Sequence, residues 1–280
     1  MGSRKMNEWY KQDLAFIHDV GFSDWALKSA PGILEILNRS QIREGLIVDL
    51  GCGSGLSAQE FTKAHYKVLG IDISESMIEI ARTRVPDTEF RIESLFKADI
   101  PPCNAVISLG ECLNYLFDPD NNSETLVQFF YRIYNALTPG GVFIFDIAEP
   151  GQVTPGTPSK NFTEGEDWIV LVEKEEDRES EILTRRIITF RKVGEHYRRD
   201  DEAHRQQLYK GADVTAKLRQ VGFEVETTQS YGQFRLPKAH LAFIRMPARK
   251  PLRLKYGTRR SVSAVLKARD EGRLKAFTPQ

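Results

Sequence analysis

Two features of the sequence have the residue types and spacing of a ligand site: the glycine-rich segment 48–55 (VDLGCGSG) and Asp72, which lies 21 residues after Gly51. Each feature follows a short apolar run, so each is expected at the end of a buried strand. Glycines there permit a tight turn and let a ligand approach the backbone without an intervening side chain. A carboxylate at the end of the second strand can accept hydrogen bonds from both hydroxyl groups of an adenosine ribose. Together the two features predict a site for a cofactor that contains adenosine.

Asp49 distinguishes between the two common cofactors of this kind. NAD and S-adenosylmethionine both carry the ribose, but a carboxylate two positions before Gly51 would repel the pyrophosphate of NAD. The same carboxylate suits S-adenosylmethionine, which carries an ammonium and a sulfonium group. The glycine spacing is G-x-G-x-G, and Leu56 occupies the position of the third glycine in the dinucleotide pattern. We therefore predict S-adenosylmethionine, with a nicotinamide-dependent dehydrogenase as the alternative.

Apolar runs of strand length alternate with helical spacing over the first half of the chain, which predicts an α/β fold of the Rossmann-like, doubly wound type. The predicted strands are 46–52, 68–73, 90–93, 105–109 and 142–147, separated by helices that end near 65, begin at 76 and span 123–137. Strands joined by helices in this way are parallel, and helices cover both faces of their sheet. A cofactor-binding core is therefore predicted over 46–150.

Two further segments predict a cover over the ends of these strands. Helical spacing over about 7–43 predicts an N-terminal helical lid (1–45), interrupted at Pro31 and Gly32. In the insertion 151–210, charged residues alternate with apolar ones, which predicts an antiparallel β ribbon with one solvated face. The ribbon strands are predicted at 168–173, 182–191 and 196–205, after a Gly/Pro-rich hinge at 149–158. A closed cover of this kind favours a small-molecule substrate.

The last part of the chain is predicted to complete the core and to end in a basic tail. A helix at 213–221 and strands at 223–230 and 239–246 would complete the core over 211–247. In the tail, 248–280, ten Lys or Arg residues stand against only two acidic residues. This excess could meet RNA or an acidic protein, or it could belong to an ordinary solvated tail.

Composition and charge argue against several classes of protein. Hydrophobic residues at 41% and charged residues at 28% are ordinary globular usage, and apolar runs such as 141–147 are far shorter than the roughly 20 residues of a membrane-spanning helix. The 39 basic and 39 acidic residues balance, so we expect no nucleic-acid partner and no membrane. Three cysteines form no disulfide framework or zinc motif and no secretory signal is present, so a cytoplasmic protein is expected. No feature of the sequence indicates the oligomeric state.

The segment 46–150 resembles the class I S-adenosylmethionine-dependent methyltransferases, and the agreement continues to Met246. The resemblance rests on the glycine-rich segment 49–55, on Asp72-Ile73, on the turn 137–141 (LTPGG) and on the last two strands, which resemble the family's terminal reversed hairpin. It implies a mostly parallel seven-stranded sheet that binds S-adenosylmethionine without a metal. The Asn/Asp-Pro-Pro-Tyr motif of methyltransferases that act on nucleic-acid bases is absent, and the chain has 110–113 (GECL) in its place.

The resemblance also implies which residues contact the cofactor. Gly51 and Gly53 approach the methionine part, with Cys52 between them as a small turn residue rather than a nucleophile. Asp72 binds the ribose, and Ile73 packs on the adenine.

Four further contacts are implied at less characteristic positions. Ser94 and Leu95 stand where the family often has an acidic or polar residue near the adenine amine. Leu109, at the end of the fourth strand, presents its backbone to the methionine amine. Small-molecule members can fold an N-terminal aromatic residue over the cofactor, and Tyr10 is the candidate here, with simple helix packing as the alternative.

The expected reaction is an in-line displacement, in which the protein holds the acceptor close to the methyl group and excludes water. A hydroxyl acceptor also needs a base that titrates near neutrality, which directs attention to the five histidines. His204, late in the ribbon, and Glu111, at the end of the fourth strand, are the candidates; the alternative is that His204 lies on the surface. The remaining histidines are predicted to be structural (His65, His240) or near solvent faces (His18, His196).

The sequence therefore predicts a methyltransferase that uses S-adenosylmethionine and acts on an oxygen or nitrogen of a small molecule. The alternatives are an RNA or protein methyltransferase that docks through the basic tail, and a non-catalytic protein that binds S-adenosylmethionine.

Overall fold

The computed structural model describes residues 9–119 and 121–247. The predicted basic tail, 248–280, and the start of the predicted lid lie outside the described residues. The helices are α1 (Gln12–Gly21), α2 (Asp24–Arg39), α3 (Leu56–Lys63), α4 (Glu75–Arg84), α5 (Ser123–Ala136) and α6 (Gly211–Val221). In the described chain, no helix is both long and apolar enough to cross a membrane.

The core is a seven-stranded sheet. Its strands are β1 (Leu46–Leu50), β2 (Lys67–Asp72), β3 (Glu89–Ile92), β4 (Cys103–Ser108), β5 (Leu137–Ala148), β10 (Phe223–Thr228) and β13 (His240–Pro247). The strand order is β10-β13-β5-β4-β1-β2-β3. The pairings from β5 through β4, β1 and β2 to β3 are parallel, whereas β13 runs antiparallel to both β5 and β10. The predicted Rossmann-like fold, with a mostly parallel seven-stranded sheet, is confirmed.

Strand β1 lies at the point where the strand order reverses, because β2 follows on one side of it and β4 lies on the other. Its alternate residues are buried on opposite faces: Val48 and Leu50 pack towards α5 and α6, and Ile47 packs towards α2, α3 and α4. A strand covered on both faces reads as a continuous apolar run, which is the pattern that predicted it. A ligand site is expected in the crevice that such a reversal opens at the carboxyl ends of the strands.

The insertion is a four-stranded antiparallel ribbon of β6 (Ser159–Glu164), β7 (Trp168–Asp177), β8 (Ile182–Val193) and β9 (His196–Gln207). Its inner face, which includes Val170, Ile187 and His204, is buried, whereas Leu171 and Arg186 on its outer face are exposed. This alternation is the reason that the ribbon was predictable. Strand β6 was not predicted, because five of its six residues are exposed and its sequence shows no apolar period.

The N-terminal helices differ from the prediction at one point, because α2 continues through Pro31 and Gly32 without a break. Gly32 is buried against the backbone of Tyr231, and a Cβ added there would overlap the Tyr231 carbonyl group. The glycine is therefore required by close packing, and the predicted interruption is wrong.

Two other boundaries depart from the prediction. The segment 137–141, predicted as a turn, already belongs to β5, with Gly140 at a φ of 81°. A small hairpin of β11 (Ser230–Tyr231) and β12 (Phe234–Arg235), which was not predicted, lies between β10 and β13.

Candidate active site

The glycine-rich turn joins β1 to α3 beside the end of β2. The backbone N–H groups of Gly51 and Cys52 both donate to the Ile71 carbonyl, at 2.7 and 3.1 Å. Gly51 has a φ of 76°, and a Cβ added there would overlap Cys112 Sγ. A Cβ added at Gly53 would meet no heavy atom within 4 Å. Close packing and a positive φ therefore require glycine at Gly51, whereas Gly53 has a φ of 52° and faces open space.

Asp72 closes this turn from the neighbouring strand. Its Oδ2 accepts a hydrogen bond from Gly53 N at 2.9 Å, and its Oδ1 accepts one from Ser74 N at 2.8 Å. Each carboxylate oxygen can accept a second hydrogen bond, so both remain available to a pair of hydroxyl groups. Burial raises the pKa of Asp72 above its ordinary value.

Asp49 lies buried under the turn, at 2% exposure, and its Oδ2 has no hydrogen-bond partner in the described chain. Burial raises the pKa of Asp49 to about 7, and the charge of Asp72 contributes to the rise. An unpaired buried carboxylate is costly, and a cationic ligand would relieve the cost. These residues therefore fit the ammonium and the ribose of S-adenosylmethionine.

Cys52 is buried in the same turn. Burial raises the pKa of its thiol well above the usual value, and the nearby Asp72 and Asp49 raise it further. A thiol held in its neutral form is a poor nucleophile. This agrees with its interpretation as a turn residue.

The remaining predicted cofactor contacts lie around the same edge of the sheet. Ile73 is half-buried directly after β2, while Leu95 and Leu109 pack against the cores on opposite faces of the sheet. Ser94 donates its hydroxyl hydrogen to Asp118 Oδ2 at 2.7 Å. The hydroxyl of Ser94 is thus already committed to the protein.

The turn after β4 holds Glu111 in a left-handed conformation. Glu111 has a φ of 63°, directly after Gly110 at 82°. Both N–H groups donate to the Asp146 carboxylate, at 2.7 Å from Glu111 and 3.1 Å from Gly110, and Tyr231 Oη donates to it at 3.1 Å. Burial raises the pKa of Asp146 to about 6. A non-glycine residue held in a left-handed conformation is characteristic of functional sites.

The side chain of Glu111 is buried among three partners. Its Oε2 accepts hydrogen bonds from Arg185 Nη2 at 2.7 Å and from Gln206 Nε2 at 2.6 Å, and its Oε1 lies 2.5 Å from His240 Nε2. Burial alone would raise the pKa of Glu111, but the charge of Arg185 and the contact with His240 hold it well below the usual value. Glu111 therefore connects the end of β4 to the ribbon and to β13.

His204 lies on the inner face of β9 and is completely buried, so the alternative of a surface histidine is wrong. Its Nε2 lies 2.8 Å from Glu202 Oε2, and its Nδ1 has no partner in the described chain. A carboxylate can only accept, so a neutral His204 carries its hydrogen on Nε2 and a free lone pair on Nδ1. The rings that surround the imidazole, with centroids 4.8 to 6.0 Å away, are those of Trp9, Tyr10, Tyr115 and Phe117.

Residues 9–11, which we call the strap, connect the two halves of this site. The N–H groups of Tyr10 and Lys11 both donate to the Glu202 carboxylate at 2.9 Å. The carbonyl of Tyr10 accepts a hydrogen bond from Ser74 Oγ at 2.9 Å, two residues after Asp72. Tyr10 thus lies between Ser74, in the loop after β2, and His204.

Several residues of this site were not predicted from the sequence. Glu202, Arg185 and Gln206 lie on the inner face of the ribbon, and Tyr115, in the loop after β4, contacts both Tyr10 Oη at 3.0 Å and Arg185 Nη1 at 3.2 Å. The period-two pattern of β8 and β9 could have assigned the ribbon residues to one face, but it does not say what that face covers.

Two histidines lie elsewhere than predicted. His18 packs edge-on against Tyr10 rather than facing solvent, with ring centroids 5.3 Å apart, and burial lowers its pKa to about 4. His65 is exposed in the turn after α3 rather than on a core helix. Among residues 9–119 and 121–247, no group of three or more His, Cys, Asp or Glu side chains is arranged to hold a metal ion.

Comparisons with known proteins find similar methyltransferases. Residues 47–141 match the family model described as a methyltransferase domain. The Bacillus subtilis protein YqeM is 24% identical over 191 residues, which are 65% of this chain and 74% of YqeM. The dTDP-4-amino-2,3,4,6-tetradeoxy-D-glucose N,N-dimethyltransferase of Saccharopolyspora spinosa is 28% identical over 141 residues, 49% of this chain and 55% of that enzyme.

Among solved structures, the chain resembles that of the sugar N-methyltransferase KedS8 from Streptoalloteichus sp. ATCC 53650. The TM-score is 0.70 at 17% identity, over 88% of this chain and 97% of KedS8. At this identity the likeness shows a common fold.

Proposed function

We propose that this chain, which is a class I S-adenosylmethionine-dependent methyltransferase, methylates an oxygen or nitrogen atom of a small molecule held beneath the ribbon. Two similar proteins support a small acceptor, since one is named as an N,N-dimethyltransferase of a nucleotide-linked amino sugar and the other as a sugar N-methyltransferase. The buried imidazole of His204 is surrounded by aromatic rings, and aromatic side chains are common in the lining of small-molecule sites.

In this proposal the cofactor lies over the glycine-rich turn. Asp49 Oδ2 pairs with the ammonium group, Gly51 and Gly53 allow close approach of the methionine part, and Asp72 accepts hydrogen bonds from the ribose hydroxyls. Ile73 would pack on the adenine, and Tyr10 would close the site from the strap. When bound, the cofactor supplies an electrophilic methyl group on a sulfonium.

The observation that carries the proposal is the unpartnered Nδ1 of the buried His204. A hydroxyl acceptor must lose its proton as it is methylated, whereas a neutral amine loses one after methyl transfer; in either case the buried lone pair on Nδ1 would take the proton. The resulting imidazolium would be paired with Glu202 through Nε2, and the surrounding aromatic faces would stabilise its charge. His204 is therefore the proposed base, and Glu202 keeps its ring in the productive tautomer.

Glu111 has a different role in this proposal. Its two oxygens are occupied by Arg185, Gln206 and His240, which leaves little capacity for proton transfer. We therefore assign Glu111 as a positioning residue that holds the ribbon at the end of β4. The segments 9–45 and 151–210 would then form the cover of the acceptor chamber.

The test is product capture. The protein is incubated with S-adenosylmethionine carrying an isotopically labelled methyl group and a cell metabolite extract, and mass spectrometry follows the label. A labelled small molecule, formed by the wild-type protein and not by the Asp72→Ala variant, is the expected result. Label recovered only in RNA or in protein would contradict the proposal.

A further inference from the structure

The inner face of the ribbon carries a row of three nitrogen-bearing side chains: Lys174, Arg185 and His204. They are direct cross-strand partners, Lys174 opposite Arg185 and Arg185 opposite His204. Neighbouring strands lie about 4.8 Å apart, so the row spans roughly 10 Å from Lys174 to His204. Directly opposite residues on neighbouring strands have their side chains on the same face of a sheet. The three side chains therefore share one face of the ribbon, the face on which Arg185 contacts Glu111.

Lys174 differs from its two neighbours because, among the described residues, its ammonium forms no direct ion pair, although the charge of Glu111 acts on it from beyond ion-pair distance. Arg185 is paired with Glu111 at 2.7 Å, and His204 contacts Glu202 at 2.8 Å. Within the described residues, the side chain of Lys174 makes no hydrogen bond and no ion pair. It is half-buried, and burial lowers its pKa; the charge of Arg185 lowers the pKa further, whereas that of Glu111 raises it.

The outer face of the same ribbon shows the usual arrangement. Lys160 on β6 pairs with Glu173 at 3.2 Å, and Arg199 on β9 pairs with Asp201 at 3.0 Å. These two ion pairs lie on the solvated face, whereas the ammonium of Lys174, on the more buried face, has no ion pair among the described residues. An unpaired cation is costlier in a buried position than in water, which indicates a ligand that brings the missing negative charge.

Arg185 provides an independent observation that points the same way. Its Nη2 donates to Glu111 and its Nη1 to Tyr115 Oη, but its Nε is buried without a partner in the described chain. A guanidinium N–H is a strong donor to carboxylate and phosphate oxygens. The unpartnered Nε of Arg185 and the ammonium of Lys174 therefore belong to adjacent strands and to the same face of the ribbon.

We propose that Lys174 and Arg185 form an anion-binding subsite that holds a carboxylate or phosphate group of the methyl acceptor. The inference rests on the proposed function and specifies its substrate class. The acceptor would carry its anionic group beneath β7 and β8 and its methylated atom near His204, up to roughly 10 Å away by the strand spacing. The subsite discriminates against neutral and cationic acceptors, because these leave Lys174 unpaired.

The test measures binding rather than turnover, so it is independent of the proposed base. The protein, saturated with S-adenosylhomocysteine, is titrated at constant ionic strength with inorganic phosphate, with benzoate and with benzamide, and binding is followed by ligand-observed NMR. Benzoate and benzamide have the same shape and differ in charge, and benzoate and phosphate distinguish the two anionic groups. We expect benzoate, inorganic phosphate or both to bind saturably. If benzoate binds, benzamide should bind at least tenfold more weakly than benzoate.

Two variants assign the effect to the subsite. Lys174→Met should weaken anion binding about tenfold or more, whereas Lys174→Arg should keep it within about threefold. Lys160→Met, which removes a lysine from the outer face of the same ribbon, is the matched control and should change nothing. Affinity for S-adenosylhomocysteine should be the same in all three variants, which shows that the site is intact.

The proposal is overturned if neither anion binds saturably, if benzamide binds as tightly as the anions, or if Lys160→Met weakens binding as much as Lys174→Met. Anion binding that persists in a protein that methylates no small molecule would count against the proposed function and not against the subsite.

Discussion

The carboxylate of Glu202 lies 2.8 Å from Nε2 of His204, two residues along the same strand and on the same face of the ribbon. The same carboxylate accepts hydrogen bonds from Tyr10 N and Lys11 N in the strap. One side chain thus sets the tautomer of the buried histidine and holds the strap, whose Tyr10 carbonyl accepts a hydrogen bond from Ser74. Closure of the site and orientation of the proposed base therefore depend on a single residue.

Glu202→Gln should lower the turnover number more than it changes the Michaelis constant for the acceptor, because it removes the carboxylate that orients His204. We expect a loss of about 10-fold to 100-fold, within the range of an effect on general base catalysis. In a double-mutant cycle, Glu202→Gln should add little to the loss caused by His204→Ala, since both act on one proton transfer. Fully additive losses would show that Glu202 acts only through the strap.

His204→Ala should have an effect that depends on the acceptor atom. For a hydroxyl acceptor, turnover should fall by roughly 10² to 10⁴ with unchanged affinity for the cofactor, because the base is lost. For a neutral amine, which is already nucleophilic, the loss should be tenfold or less. Steady-state kinetics with the identified acceptor distinguish these results, and His196→Ala at the exposed start of β9 is the control. A loss of tenfold or less with a hydroxyl acceptor would remove His204 from the mechanism.

Asp49 should make cofactor binding depend on pH. Its pKa is raised to about 7, and only its ionised form pairs with an ammonium group, so binding below pH 7 must release a proton. We expect the affinity for S-adenosylhomocysteine to rise about tenfold from pH 6 to pH 8 in calorimetric titrations. By contrast, the stability that Asp49 contributes to the unliganded protein falls as pH rises. That contribution is fully present below the pKa of Asp49 in the unfolded chain, about 4, and is lost as pH rises through 7.

Asp49→Asn is the control for this titration. It should bind more weakly, and its affinity should vary much less between pH 6 and pH 8, because the titrating group is gone. A wild-type affinity that is constant over this range would contradict the assignment of Asp49 to the ammonium group.

Asp72→Ala should weaken cofactor binding by about 1.5–3 kcal/mol, the worth of hydrogen bonds to a charged group. Calorimetry measures the loss, and circular dichroism checks that the variant is folded. Because Asp72 also accepts hydrogen bonds from the backbone N–H groups of Gly53 and Ser74, the comparison with Asp72→Asn, which keeps one acceptor oxygen and removes the charge, separates support of the turn from charge-assisted binding of the ribose. Unchanged affinity in Asp72→Ala would exclude Asp72 from the ribose site.

Glu111→Gln should destabilise the fold, because it leaves Arg185 buried without its counter-charge and places an amide opposite Gln206. Breaking a buried pair costs about 3–5 kcal/mol. The pKa of Glu111 is lowered in the folded protein, so its contribution to stability is present above the unfolded value of about 4.3 and is lost as pH falls below it. Denaturant unfolding measures both effects, and the exposed pair of Lys160 and Glu173 supplies the control, since Glu173→Gln should cost less than about 1 kcal/mol. Equal losses in the two variants would contradict the anchoring role.

The fold and the cofactor turn were predictable because their signals are local. Strand β1 is an apolar run covered on both faces, and the glycine of the following turn is required by its own φ of 76°. The carboxylate of Asp72 belongs to the next strand of a parallel sheet, so its position relative to Gly53 follows from the fold class. Such features involve residues that are close in sequence or in adjacent crossover units.

The acceptor side of the site depends on contacts between distant parts of the chain. Tyr10 and Glu202 are 192 residues apart in sequence, Glu111 and His240 are 129 apart, and Glu111 and Arg185 are 74 apart. Period-two alternation could assign His204 to one face of a strand, but a face rich in charged residues reads as solvated unless the element that covers it is known. The amino-acid sequence by itself determined the sheet and the glycine-rich turn, with Asp49 and Asp72 beside it. Only the packing of the ribbon against the strap and the β4 turn decided that His204 is buried and that, among the described residues, its Nδ1 has no partner and the ammonium of Lys174 has no ion pair, because burial is a property of what an element packs against and not of its own residues.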